Sequence, residues 1–175
     1  MNIFLIIKIY KIINMEEQMN EIIRQAQEDP SLYSTVDIYE LLDSLNDEKY
    51  DYILNKTAYD IQEEVYTILK ENELANARDY ANKLLSYRYV DDLNELHNGK
   101  FIRWIRKSDK KLTNGNILMN VDFTKNGTQL LLKSPTNRFT RIKWDDCIVF
   151  QILSQEEQLL LTTNQYIQRE ENEGS

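Results

Sequence analysis

The spacing of apolar residues divides the chain into a helical first half and a β-rich second half. From Met15 to about Asn98, apolar residues recur every three or four positions, which is the period of amphipathic helices. After Gly99 the period falls to two, as in strands that bury one face. The two halves therefore predict an α+β protein.

Five helices are predicted in the first half, at residues 15–28, 34–45, 50–69, 74–85 and 90–96. The third has the clearest apolar face, formed by Tyr50, Ile53, Leu54, Ala58, Ile61, Val65, Ile68 and Leu69. The last ends at Asn98-Gly99, a pair suited to a helix C-cap or a tight turn.

Five strands are predicted in the second half, at residues 100–107, 117–123, 129–133, 138–144 and 147–153. Asn114-Gly115 and Asn126-Gly127 favour hairpin turns between them. Five short strands predict a small barrel of SH3-like, Sm-like or OB-like topology, because closure removes aggregation-prone sheet edges. Ser154 and Glu157 have the spacing of a capping box, which predicts a final helix to about Arg169, packed on the barrel.

We therefore expect four regions along the chain. They are an apolar leader at residues 1–14, an acidic helical region at 15–98, a basic β module with its helix at 99–169, and a polar tail at 170–175.

The leader, MNIFLIIKIYKIIN, fits no targeting class. A signal peptide carries its positive charge before the apolar run, whereas Lys8 and Lys11 lie inside it. The run is also shorter than the ~20 residues of a spanning helix. Translation from Met15, a disordered leader, an extra packed strand or helix, and membrane contact stay open, and no membrane span is expected.

Charge changes at the same boundary as the period. Residues 1–99 have 9 Lys or Arg and 20 Asp or Glu, a net charge of −11, whereas residues 100–146 have 11 and 4, a net charge of +7. Residues 147–175 return to −4, which gives the total of −8. The cations therefore belong to the predicted β module.

Two interpretations of these cations compete. Lys and Arg on a small barrel neutralise phosphates, and an exposed aromatic residue stacks on a base. The candidate cations are Lys100, Arg103, Arg106, Lys107, Lys110, Lys111, Arg138, Arg141 and Lys143, and the candidate stacking residues are Trp104 and Trp144, with Phe101 and Phe139 as further aromatics. In the other interpretation, the basic module pairs with the chain's own acidic helices and both bind proteins.

The sequence offers little for catalysis. His97 has no evident partner, and Cys147 begins an apolar strand in which a small core residue is expected. The pairs Asp91-Asp92 and Asp145-Asp146 are adjacent residues whose side chains diverge, and no glycine-rich phosphate loop is present. We therefore expect no enzyme, no metal site and no cofactor.

Three segments, LNELHNGKFIRWI, KLTNGNIL and RFTRIKWDDCIVFQILSQEEQLLL, resemble uncharacterised proteins of giant DNA viruses of the mimivirus type. The resemblance covers about residues 87–167 and departs at Asn116 and Ile152. It implies that Gly99, Arg103, Trp104, Gly115 and Phe150 belong to one module. It supplies no activity, and it implies a location in the host cytoplasm, a viral factory or the virion rather than secretion.

The function expected first is a non-enzymatic accessory protein of a DNA virus that binds DNA or RNA through a basic barrel face. The alternative is a structural or adaptor protein with a protein partner. The sequence does not indicate the oligomeric state.

Overall fold

The computed structural model describes residues 50–173, apart from the side chains of Tyr166, Ile167 and residues 169–173. The predicted leader and the helices at 15–28 and 34–45 lie outside this range. The described residues form two compact units, residues 59–153 and residues 50–58 with 154–173. The four-region division predicted from the sequence stays a prediction.

The elements of the described chain are α1 (Ala58–Glu71), α2 (Ala77–Lys83), β1 (Tyr87–Tyr89), a 3-10 turn (Leu93–Glu95), β2 (Phe101–Arg106), β3 (Asn116–Thr124), β4 (Gly127–Lys133), β5 (Phe139–Lys143), β6 (Cys147–Ile152) and α3 (Gln155–Glu173). The strands form an antiparallel sheet in the order β1-β6-β2-β3-β4-β5. The α+β class is confirmed.

Within the described residues, the sheet has six strands rather than the predicted five, and it does not close into a barrel. Closing strands β2 to β6 would require β5 to pair with the outer edge of β6. That edge is occupied by β1, in which Tyr87 pairs with Ile152 and Tyr89 with Phe150. The sequence missed β1 because three residues are too few to show an alternation.

The predicted helix at residues 90–96 is also wrong. The N–H of Val90 donates to the carbonyl of Val149, so the chain still runs beside β6 at this point. Within residues 90–96, only the 3-10 turn at Leu93–Glu95 is helical. The Asp92 carboxylate accepts a hydrogen bond of 3.0 Å there from the N–H of Asn94.

One face of the sheet, the inner face, encloses an apolar core. Side chains of five strands and of the segment after β1 meet there: Val90, Ile102, Trp104, Leu118, Leu130, Leu132, Ile142, Cys147 and Val149. Alternate residues of each strand supply this core, as a pleated strand requires. Each fully buried aliphatic side chain contributes about 1.5–3 kcal/mol of transfer free energy.

The opposite face, the outer face, is covered by α1 and α2 where it is formed by β1, β6 and β2. Val65 and Leu69 of α1 pack there with Ala77 of α2 and with Ile105 and Phe150 of the sheet. The spacing of four between Val65 and Leu69 puts both on one stripe of α1. The outer face of β5 is different, since Phe139, Arg141 and Lys143 are exposed.

The two predicted hairpin pairs have different outcomes. Thr124 pairs with Gly127 across the loop Lys125-Asn126, and only Gly127 has a positive φ, +101°. The hairpin loop therefore has two residues, and it is not a type I′ turn, which needs a positive φ at both of them.

Asn114-Gly115 is not the turn between β2 and β3. Leu112 forms a bridge with Ile105, and the N–H of Thr113 donates to the carbonyl of Trp104, so the chain has already turned at residues 107–111. Gly115, with φ +92°, is instead a kink where the returning chain passes close to β2.

In the other unit, the predicted capping box begins α3. The Ser154 N–H donates to Glu157 Oε2 at 2.6 Å, and the Glu157 N–H donates to Ser154 Oγ at 3.2 Å. Asn164 of α3 is buried, and its amide donates to the carbonyls of Ile53 and Lys56 at 3.1 and 2.8 Å. These bonds hold the segment before α1 against α3.

Candidate nucleic-acid interface

Four of the predicted cations meet at one cavity of about 630 Å³, which we call the basic groove. It is lined by Arg106, Lys107, Ser108, Arg141, Ile142, Lys143, Asp146 and Cys147. Arg106 and Lys107 come from the end of β2, whereas Arg141 and Lys143 come from β5. Residues far apart in the sequence thus place four cations in the lining of one cavity, together with the carboxylate of Asp146.

The groove lies where the sheet fails to close. Arg106 pairs with Cys147 at the end of the β2–β6 ladder, and the Lys107 N–H donates to the carbonyl of Asp146 at 3.0 Å. β5 is an edge strand of the sheet. The open space between this edge and the end of the β2–β6 ladder is therefore bordered by cations from both sides.

The cations of the groove are only weakly neutralised by their neighbours. Arg106 lies 3.6 Å from Asp109, and Arg141 lies 3.7 Å from Asp122, with both arginines more than half exposed. Exposed pairs of this kind contribute about 0–1 kcal/mol and exchange readily for another anion. Lys143 makes no ion pair or side-chain hydrogen bond in the described part of the chain.

Lys107 has a different contact, because its ammonium donates to the backbone carbonyl of Asp145 at 2.8 Å. This bond orients the side chain without neutralising its charge. Lys107 therefore keeps a full positive charge at the groove.

Arg103 does not belong to the groove. Its guanidinium donates to the carbonyls of Lys83 and Thr113 at 2.9 and 2.8 Å, and it lies over the ring of Tyr87 at 5.9 Å. Burial raises the pKa of the Tyr87 hydroxyl, and the charge of Arg103 opposes that rise. The donors of Arg103 are thus used to attach α2 and the β2–β3 connection to the sheet, which is a structural role.

The other predicted cations are dispersed. Lys110 lies 3.9 Å from Glu73 at an exposed site, and Lys111 is exposed beside it. Lys100 is half-buried before β2, and Arg138 is exposed in the turn before β5. The structure does not bring these four to the basic groove.

The stacking role predicted for Trp104 is wrong, because its side chain is only 4% exposed in the inner core. Trp144 is half-buried and packs against the same core. Two phenylalanines are far more accessible, Phe139 at 61% and Phe123 at 78%. The alternation of residues along a strand did not separate buried aromatic residues from exposed ones. In β2, which contains Trp104, both faces mix apolar and basic residues.

Cys147 lies at the groove but is itself buried. Burial raises the pKa of its thiol to about 11, although the nearby charge of Arg106 lowers it. The thiol is therefore protonated at neutral pH and a poor nucleophile. This agrees with the prediction of a small core residue.

His97 contributes through its backbone. Its N–H donates to Gln151 Oε1 and its carbonyl accepts from Gln151 Nε2, both at 2.9 Å. In the described range, no three His, Cys, Asp or Glu side chains cluster as metal ligands would. None of the helices described is long and apolar enough to cross a bilayer.

Sequence reasoning missed the buried Arg88 of β1. Its guanidinium donates to the Glu95 carbonyl at 2.5 Å and to Gln151 Oε1 at 3.4 Å, and it lies 3.5 Å from the Glu95 carboxylate. It thereby fixes the segment between β1 and β2. No sequence signal separated it from the exposed arginines.

The comparisons with known proteins give no relative. No protein-family model, no curated protein and no solved structure matches this chain.

Proposed function

We propose that this protein is a non-enzymatic accessory protein that binds the phosphates of DNA or RNA in the basic groove. The observation that supports this best is the convergence of Arg106 and Lys107 with Arg141 and Lys143 around one cavity. Convergent cations at an open cleft attract a polyanion, because binding releases the counterions condensed on it.

Among the described residues, pairing with acids of the helical region accounts for few of these cations. Within the described residues, Lys110 is the one cation of residues 100–146 that lies within 4 Å of a carboxylate from the helical region, that of Glu73. The acids nearest the arginines of the groove, Asp109 and Asp122, are in the β module itself. Counting only the described residues, the groove keeps an excess of positive charge.

The total charge opposes this function. A net charge of −8 repels a polyanion at long range, so attraction must act within about 10 Å, the Debye length at 0.1 M salt. Binding is therefore expected to be moderate, strongly salt-dependent and nearly independent of sequence, since phosphate contacts carry no sequence information. From the resemblance to giant-virus proteins alone, we propose that the ligand is viral DNA or RNA. Binding would take place in the infected host or in the virion.

Fluorescence anisotropy with labelled duplex DNA, single-stranded DNA and RNA at 50 mM salt tests the proposal. About four phosphate contacts predict a log–log salt slope of roughly −3 to −4. Replacing Arg106, Lys107 and Lys143 together by Gln should reduce the steepness of that slope by about 2 to 3.

The matched control replaces Lys70, Arg78 and Lys83 of the helices by Gln. It removes the same one arginine and two lysines, so it changes the net charge equally. Its salt slope should stay within about one unit of wild type. Equal effects of the two triple variants would show that only total charge matters, and no binding by the folded wild type at tens of micromolar would reject the proposal.

The adaptor function is the second candidate, and one observation favours it. Phe123 and Met119 expose apolar side chains on β3, at 78% and 40%. A protein partner that covered both side chains would remove their apolar surface from water. A wild-type protein that binds no nucleic acid would make this the leading candidate.

A further inference from the structure

The register of the sheet places Phe139 at the end of a row of four side chains on the outer face. Phe101 pairs with Ile117, Ile117 with Lys133, and Lys133 with Phe139, so four neighbouring side chains lie in line across β2, β3, β4 and β5. Directly paired residues share one face and lie about 4.5–5.5 Å apart at Cβ. Lys133 and Phe139 are thus direct cross-strand neighbours on the outer face.

Two more cations follow Phe139 on the same face. Successive same-face residues of a strand recur at about 6.8 Å, which places Arg141 and then Lys143 in line beyond the ring. Asp122 lies 3.7 Å from Arg141. Arg141 and Lys143 also line the basic groove, so the row of outer-face residues that starts at Phe139 leads along β5 to the groove.

Exposure alone does not give Phe139 a function, because single apolar residues are common on protein surfaces. Phe123 provides the comparison, since it is even more exposed and pairs with the uncharged Thr128. Phe139 instead pairs with Lys133 and is followed by Arg141. An aromatic ring between cations offers a face for a base and charges for the phosphates on either side of that base.

We propose that the ligand is single-stranded nucleic acid, with one base stacked on Phe139 and its flanking phosphates held by Lys133 and by the groove cations. This inference rests on the proposed function. Only a single strand can present an unpaired base to a protruding ring at low cost, because a duplex keeps its bases stacked.

Phe139→Ala tests the inference in the full-length protein, with labelled dT and rU oligomers and a duplex as probes. Stacking lost from one base should weaken single-strand binding roughly 5- to 150-fold. Duplex binding and the salt slope should stay nearly unchanged, because no phosphate contact is removed. Phe123→Ala, an equal truncation at an exposed phenylalanine, should leave single-strand affinity within about twofold of wild type.

Two further variants separate stacking from simple hydrophobic contact. Phe139→Trp keeps an aromatic face and should retain single-strand affinity, whereas Phe139→Leu keeps an apolar side chain without that face and should lose it. The leucine variant also serves if the alanine variant does not fold, which circular dichroism shows.

Each other outcome overturns the inference in a recognisable way. Unchanged single-strand binding by Phe139→Ala, with binding lost in the groove triple variant, rejects stacking and leaves the groove intact. Equal losses for duplex and single strand, or for Phe139 and Phe123, also reject it. A wild-type dimer that Phe139→Ala converts to a monomer, with equal nucleic-acid affinity, identifies the ring as a contact between copies. No binding by wild type rejects the proposed function itself.

Discussion

Two arginines on the outer face, each near an aromatic residue, make different kinds of contact. Arg103 of β2 lies over Tyr87 and donates to two backbone carbonyls, beside the helices that cover this half of the sheet. Arg141 of β5 follows Phe139 and has one exposed ion pair, on the half that stays open. The two sites contain the same kinds of residue.

The two sites differ in whether helices cover the strand that carries the arginine. Once α1 and α2 pack on β1, β6 and β2, a cation there must satisfy its donors within the protein, since an unpaired buried charge is costly. At the open half, solvent keeps the cations free to exchange partners. The covered half should therefore lose stability when altered, and the open half should lose binding.

The largest expected effect on stability is at Gly115, where the chain passes close to β2. A Cβ there would overlap the Ile102 carbonyl oxygen and lie 2.6 Å from Phe101 Cε1. We expect Gly115→Ala to reduce the free energy of unfolding by about 3 kcal/mol or more, combining steric overlap with the strain of a positive φ. Urea titration measures the loss.

Gly99→Ala is the control for that change. Gly99 also has a positive φ, +81°, but an added Cβ would meet nothing within 4 Å. It should cost only the backbone strain, about 1–2 kcal/mol. Equal losses for the two variants would contradict the close approach of Gly115 to β2.

The next effect compares buried Arg88 with exposed Arg141. Arg88→Met removes a cation that is 1% exposed and leaves the Glu95 carboxylate and the Gln151 oxygen without it. We expect a loss of about 2–4 kcal/mol in the free energy of unfolding. Arg141→Met should change it by less than about 0.5 kcal/mol. Similar losses in urea titrations would contradict the structural role of Arg88, which is buried on the inner-face side of β1, in register with Gln151 and Ile102.

The smallest effect concerns Cys147, at the boundary between the inner core and the groove. Its pKa of about 11, against an ordinary 9.0, leaves roughly 100-fold less thiolate at pH 8. Labelling by a disulfide reagent should therefore be slower in the folded protein than in urea by about that factor or more. Fast labelling of the folded protein would show that the groove opens to the thiol.

The pH dependence of stability follows from the same rise in the pKa of Cys147. Because the folded pKa is raised, the contribution of Cys147 to stability is complete below pH 9 and decreases as pH rises from 9 towards 11. Cys147→Ala should remove this part of the alkaline loss of stability, measured by melting temperature against pH.

The sequence predicted the elements whose signals are local. Five strands, the hairpin at Asn126-Gly127 and the start of α3 are all present, because alternation, turn residues and capping residues act within a few positions. It failed at β1 and at residues 90–96, where pairing with β6 outweighs local preference. The candidate site was predicted in part, because four of its nine cations meet at the groove.

By itself, the sequence determined the α+β class of the described residues and concentrated positive charge in residues 100–146. Only the tertiary structure decided which cations face solvent together. Burial of Trp104, anchoring of Arg103 and exposure of Phe139 all depend on which strand edges are paired and which faces the helices cover. These are contacts between distant segments, and the alternation within one strand is the same whether its outer face is covered or open.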